Sequence, residues 1–314
     1  MACSCLDVGI CRNMRLPGSP YLCMSTARCA VLLSLFLAPV LAAAQASQAD
    51  RSSNQPVEPF RIAGNVYYVG ANEITSFLIT TPAGHIVIDG GFVETAPQIL
   101  ANIRRLGFRP EDVKVLLNTQ AHYDHAAGLA QLKQATGASF AVMAVDAPLL
   151  AAGGHGDFAW GDKFTFPPIQ ADRLLHDGDT VELGGVTLKA VLTPGHTKGC
   201  TTWTTTTTEH GRTYHVVFLC STTVPGYRLV GNANYPDIVA DYRESFRRLE
   251  GLPCDVFLAS HGGFFHLTEK RQRLGKDASH NPFVDPLGYR DYLRRSRAEF
   301  EQELSSQQRG KGGP

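Results

Sequence analysis

Three metal-binding side chains crowd into four consecutive positions, His122-Tyr123-Asp124-His125, just after the apolar run 113–117. A short aliphatic and β-branched run of this kind reads as a buried strand, and ligand sites of α/β sheets gather where such strands end. Imidazole and carboxylate groups at that density are costly to bury unless they are paired or hold a metal. Backbone alternation through residues 118–128 turns His122 one way and Asp124 with His125 another, so one segment can serve two adjacent ions. The ligand types suit zinc, whose catalytic sites keep a position open for water.

Two further histidines end apolar runs: His196 in Thr193-Pro194-Gly195-His196-Thr197, and His261 in Ala259-Ser260-His261-Gly262-Gly263. Around them the periodicity predicts strands over 65–69, 74–80 and 85–89, then a helix over 94–106 with Ile99, Leu100, Ile103 and Leu106 on one face. A helix over 126–135 and a strand over 139–142 continue the rhythm. A second half follows with strands over 180–183, 186–192, 201–208 and 213–219, a helix over 237–250, a strand over 255–259, and helical stretches after Thr268 and over 289–304. The threonine run 204–208 beside Trp203 reads as an exposed strand rather than a linker. Strands then helices, twice, predict two sheets sandwiched between helices.

The first 46 residues differ in character. Arg28 precedes an apolar run over 31–44, and Ala44-Gln45-Ala46 offers a cleavage site, which together read as a signal peptide on a chain whose true start is Met1 or Met24. The run is short for a membrane span, so no membrane anchor is expected after cleavage. The expected division is therefore a leader over 1–46 and one domain over 47–314. Lysine plus arginine equal aspartate plus glutamate, 29 each, which leaves no field to attract nucleic acid or anionic lipid. Arg12, Arg15, Arg28 and Asp7 fall in the leader, so the remainder, with 26 basic and 28 acidic residues, is still close to neutral.

The segment from Gln120 to His125, the Pro-Gly-His-Thr histidine and the late strand-end histidine resemble the metallo-β-lactamase superfamily, over nearly the whole chain beyond the leader. The resemblance implies an α/β fold, the four-layer αββα sandwich, and two zinc sites: Gln120, His122 and His196 in the first, Asp124, His125 and His261 in the second. The family's first histidine is Gln120 here. A neutral amide oxygen is a poorer zinc donor than imidazole, so the first site is expected to be the weaker.

Fold alone leaves the substrate open between β-lactams, acyl-lactones and thioesters, or a zinc-binding module without catalysis. Many members outside the β-lactamases carry a bridging aspartate after the strand that follows the Pro-Gly-His-Thr histidine; here that strand runs into Cys220-Ser221-Thr222-Thr223. The segments 222–229 and 161–168 resemble β-lactamases of the third subclass. That resemblance implies an exported monomer acting on penicillins, cephalosporins and carbapenems, with Asp124 orienting the attacking water and Tyr227 as oxyanion donor. Ser221 and Thr223 would hold the substrate carboxylate. For these last three, a strand-end polar residue facing water is the alternative.

Five of eight cysteines lie in the leader, leaving Cys200, Cys220 and Cys254. Cys200 and Cys220 flank a hairpin whose turn falls near Glu209-His210-Gly211, and counting outward sets them opposite one another, as a disulfide in an oxidising compartment would require. Cys220 as a zinc ligand is the alternative, and Cys254 is left as a free thiol.

Overall fold

The computed structural model describes residues 52–277 and 280–310, so the leader and its cysteines lie outside the described residues. Alternation along the strands sends side chains to two buried faces. In β3 (Phe77–Thr81) and β4 (Gly84–Ile88), Phe77, Ile79, Ile86 and Ile88 face the space between two sheets, whereas Leu78 and Val87 face helices. The same division holds for β5 (Val113–Leu117) and β6 (Ser139–Met143), where Leu117 and Ala141 point inward and Leu116 and Phe140 outward. Strands covered on both faces read as continuous apolar runs, which is why these were recognisable.

The first sheet has seven strands in sequential order, with β1 (Phe60–Ala63) and β2 (Val66–Tyr68) at one edge and β7 (Arg173–Leu175) at the other. Pairing is antiparallel from β1 to β4 and parallel from β4 to β7. The second sheet runs β12 (Val256–Ala259), β11 (Arg212–Leu219), β10 (Thr201–Glu209), β9 (Val186–Leu192), β8 (Thr180–Leu183), parallel only between β11 and β12. Trp203, Phe218, Leu188 and Phe257 pack from this sheet against Phe77, Ile86 and Leu117 of the first. Burying each such side chain contributes about 1.5–3 kcal/mol, so the inter-sheet layer is a large source of stability.

Helices α1 (Thr95–Arg105) and α3 (Leu129–Thr136) cover the outer face of the first sheet with Ile99, Ile103, Leu129 and Leu132. On the second sheet lie α5 (Ile238–Glu250) and α7 (Pro286–Gln308); Tyr289 and Tyr292 of α7 meet the Phe257 ring at 5.2 and 5.4 Å. The result is the predicted αββα sandwich.

Some local features differ from the sequence reading. The stretch 126–135 is two helices, α2 (Tyr123–Ala126) and α3, because the Gly90-Gly91 backbone bonds into the break, Gly90 N to His125 O and Gly128 N to Gly91 O. A short α4 (Ala147–Ala151) and a helix α6 (Leu267–Arg273) complete the set. The threonine run is the body of β10 and only half exposed: Thr205 and Thr207 are buried while Thr206 and Thr208 face water. The β10–β11 turn is His210-Gly211, with φ of +50° and +77°, between the paired Glu209 and Arg212. Its register, Trp203 opposite Phe218, sets Cys200 one residue out of line with Cys220. The two nevertheless form a disulfide just past the strand ends, with Cα atoms 5.9 Å apart. Among the described residues Cys254 is the free cysteine, and no helix is long and apolar enough to cross a membrane.

Candidate metal centre

Strands β4, β5, β9, β11 and β12 all deliver their carboxyl ends to one edge shared by the two sheets, and every candidate ligand sits on the residues that follow them. The edge is stitched across the sheets: Thr201 N donates to Thr119 O at 2.7 Å, and Thr75 Oγ1 to Ala259 O at 2.8 Å. Rigid strand ends thereby fix residues that are distant in sequence.

Two imidazole pairs result. His122 Nδ1 faces His196 Nε2 at 3.2 Å, and His125 Nε2 faces His261 Nε2 at 3.2 Å. Asp124 Oδ2 lies 3.3 Å from His125 Nε2 and 3.6 Å from His261 Nε2. Asp124, His125 and His261 thus offer a converging donor set. Gln120 is buried, and its Oε1 has no hydrogen-bond partner while its Nε2 points to Ser260 Oγ. Four imidazoles, one carboxylate and an unpartnered amide oxygen are a set that fits a metal centre. Cys220 is removed from it by the disulfide.

The other nitrogen of each imidazole meets an oxygen. His122 Nε2 faces Asp157 Oδ2 at 3.7 Å, His125 Nδ1 faces Asp89 Oδ2 at 3.4 Å, and His261 Nδ1 faces Glu73 Oε1 at 3.7 Å. His196 Nδ1 donates to Thr223 O at 2.9 Å. Outer acceptors of this kind fix the tautomer that leaves the inner nitrogen free for a metal. The three outer carboxylates, Glu73, Asp89 and Asp157, were all missed by sequence reasoning. A carboxylate directly after a buried strand, as Asp89 follows β4, was the available signal.

Asp89 adopts φ +63°, a costly conformation for a residue with a side chain, held by Asn118 Nδ2, Thr119 N and Thr119 Oγ1, all within 3.0 Å of its carboxylate. Asp146 is a second fully enclosed carboxylate. It accepts from Ala121 N at 3.1 Å, Thr197 Oγ1 at 2.8 Å and Gly199 N at 2.7 Å, so it ties the loop of His122 to the loop of His196. Burial pushes its carboxyl pKa up in spite of those donors. A Cβ on Gly199 would lie 2.5 Å from Asp146 Cγ, which leaves room there for glycine alone.

Electrostatics divide the histidines. Burial disfavours a charge on His125, but Asp124 and Asp89 outweigh it and push its pKa up to about 10. Burial and the neighbouring His125 lower His261 to about 4, and burial with His122 depresses His196 strongly. Asp124 is held far below the usual carboxylate range, its burial overcome by His125, His261 and His122. A metal bound beside Asp124 competes with a proton for His125 Nε2.

Of the remaining candidates, Ser221 Oγ and Thr223 Oγ1 lie 3.1 Å apart, and Thr223 Oγ1 also reaches His196 Nδ1 at 3.2 Å. Tyr227 is buried, with its hydroxyl donating to His196 O at 3.1 Å. Phe158 and Trp160, from the 153–162 loop, pack on its ring at 5.0 and 5.6 Å. A cavity of about 600 Å³ opens beside the centre, walled by Asp146, Asp157, Phe158, Thr197, Lys198 and Asn234. Another, about 670 Å³, lies between α5 and α7 beside Cys254, away from the histidines.

Residues 69–261 match the family model described as metallo-beta-lactamase superfamily. The chain is similar to the solved FEZ-1 metallo-beta-lactamase from Legionella gormanii, with 46% identity, 81% of this chain and 98% of that one covered, and a TM-score of 0.80. It is also similar to BJP-1, a subclass B3 metallo-beta-lactamase of Bradyrhizobium japonicum, with 36% identity, coverage of 83% and 99%, and a TM-score of 0.79. Among curated proteins, a hydroxyacylglutathione hydrolase of Rhodospirillum rubrum is 33% identical over 113 residues, 36% of this chain. The chain spans only 35–37% of the length of the first curated relatives it matches.

Proposed function

Because the chain belongs to the metallo-β-lactamase superfamily and is a zinc-dependent hydrolase of that fold, we propose that its substrates are β-lactams, whose amide bond it hydrolyses. The observation that carries this reading is the end of β11. There the residues are a disulfide-bound Cys220 followed by the hydroxyls of Ser221 and Thr223, with no carboxylate available to bridge two metals. The full-length likeness to two β-lactamases supports it, against partial matches to thioester hydrolases.

In this reading Gln120, His122 and His196 hold one zinc ion, and Asp124, His125 and His261 the other. Bound there, zinc polarises the substrate carbonyl and makes a water acidic enough to serve as nucleophile near neutral pH. Asp124, beside the His125–His261 pair, would orient that water and accept its hydrogen bond. Ser221 and Thr223 donate to the substrate carboxylate, their hydroxyls lying 3.1 Å apart just past the strand end. Tyr227 acts as oxyanion donor on the condition that its hydroxyl leaves His196 O; while bonded there it positions the histidine loop. The domain over 47–314 is taken to work as a monomer in the periplasm or outside the cell after removal of 1–46, conferring resistance to β-lactam antibiotics.

The second reading, a lactonase or thioesterase, rests on the curated matches. Purified protein assayed with imipenem, a cephalosporin, an acyl-homoserine lactone and a glutathione thioester, each with and without chelator, separates them. Chelator-sensitive lactam hydrolysis is expected; turnover of the lactone or thioester alone would overturn the proposal.

A further inference from the structure

We infer that Asp157 is the positioning carboxylate of the first metal site and couples its occupancy to the 153–162 loop, an inference that rests on the assignment of His122 and His196 as metal ligands. His122 Nε2 and Asp157 Oδ2 are both buried, and neither has a hydrogen-bond partner, yet they face each other at 3.7 Å. If Nδ1 of His122 takes a metal, the proton must sit on Nε2, and Asp157 Oδ2 is the acceptor placed to receive it. Charge makes the pairing matter more here than at the second site. Gln120, His122 and His196 are all neutral donors. Among the described residues, Asp157 is the only carboxylate that pairs with either imidazole of that set, whereas His125 and His261 have Asp89, Glu73 and Asp124 around them.

The loop is joined to the same carboxylate. Asp157 Oδ1 accepts from Ala159 N and Trp160 N, both at 2.8 Å, and Asp157 pairs with Gly161 across the loop base. Phe158 stands between Tyr227 and Tyr235, and Trp160 between Phe164 and Tyr227, so a shift of Asp157 carries into this cluster of rings, of which Phe158 lines the cavity. Metal at His122 draws Asp157 toward Nε2–H and with it the turn that carries Trp160. Conversely, a displaced loop removes the acceptor that fixes the tautomer.

Asp157→Asn tests this with little change in shape. Its amide oxygen can still accept from Ala159 N and Trp160 N, but an NH2 group replaces the oxygen facing Nε2–H. Cobalt(II) and zinc titrations of the parent and the variant are followed by absorbance, by metal content and by the emission difference between the protein and its Trp160→Phe form. The expected result is a first-site affinity lower by about 10–100-fold, second-site affinity within about threefold, and loss of the Trp160 signal that accompanies first-site filling in the parent. Equal first-site affinities in parent and variant, or a Trp160 signal unchanged by the substitution, would overturn the inference while leaving the two-metal assignment standing. A parent that binds one metal only, with His122→Ala binding just as much, would overturn both.

Discussion

Replacing Asp146 by alanine should weaken the fold and the first metal site together, because one carboxylate holds the loops of His122 and His196. The substitution strands two buried backbone donors, Ala121 N and Gly199 N, while the Thr197 hydroxyl can rotate. Each stranded donor costs about 1–3 kcal/mol, or roughly 2–6 kcal/mol for the two. Burial already disfavours the Asp146 charge, and its removal returns part of that sum, so a net loss of about 3 kcal/mol is expected. At ~2–4 °C per kcal/mol for a domain of this size, Tm should fall by roughly 6–12 °C. Calorimetry with chelator present isolates the fold, and zinc titration reads the site, where first-site affinity should drop by at least ~10-fold. Gly199→Ala should cause a similar loss by forcing the carboxylate away, and only part of its cost should be relieved on the Asp146→Ala background, because the added Cβ would still lie 2.7 Å from Asp146 N. Additive effects of the two substitutions, or a fall below ~2 °C with unchanged first-site affinity, would refute the reasoning.

Chelation should abolish hydrolysis, and His122→Ala, His196→Ala and His261→Ala should each lower kcat/KM by several orders of magnitude; activity persisting with chelator would exclude the metal mechanism. Gln120→His should raise first-site zinc affinity by about 10-fold or more; identical titration curves for the two proteins would deny the glutamine any energetic meaning. Thiol titration of unfolded protein lacking residues 1–46 should find Cys254 alone, and reduction of the Cys200–Cys220 bond should cost about 3 kcal/mol by loop-closure entropy; three titrating thiols would contradict the pairing. Asp285 caps α7 through Gly288 N and pairs with the buried Lys270 ammonium at 3.0 Å. Its partial burial raises the carboxyl pKa, but Gly288 and Lys270 prevail and hold it below the usual range. Stability from a depressed carboxyl is present above the unfolded pKa near ~4 and fades as pH falls through the folded value. The urea-unfolding difference between the parent and Asp285→Asn should therefore hold from about pH 8 to 5 and narrow toward about pH 3. A difference that widens on acidification would reverse the assignment.

Strands β5 and β6 were legible because both of their faces are covered, so apolar runs marked them, and β9 through its alternation, Leu188 and Ala190 buried against exposed Thr187 and Lys189. Strands β1 and β7 and helix α4 were not. Phe60–Ala63 and Arg173–Leu175 are three- or four-residue edges defined by their partners, and Ala147–Ala151 completes only one turn. The candidate inner ligands could be read from local spacing, since each follows an apolar run. Their outer acceptors could not, because Glu73 meets His261 only once the two sheets have closed, and Asp157 meets His122 only once the 153–162 loop has folded back over the end of β5. Thr223 shows the same limit: read as a substrate contact, it also gives its carbonyl to His196 and receives the Tyr242 hydroxyl at 2.6 Å.

The stitched edge between the two sheets bears on when the metal can enter during maturation. Its candidate ligands run from Gln120 to His261 and rest on strand ends of both sheets, so no short segment of the nascent polypeptide holds a complete set. Contacts over such separations carry a large loop-closure cost and form slowly. The expectation is that zinc joins a fold already formed, unlike the ion of a small zinc finger, which the peptide cannot fold without. A chain refolded under chelation should regain its sheets at the same rate as one refolded in zinc, and acquire the ion afterwards.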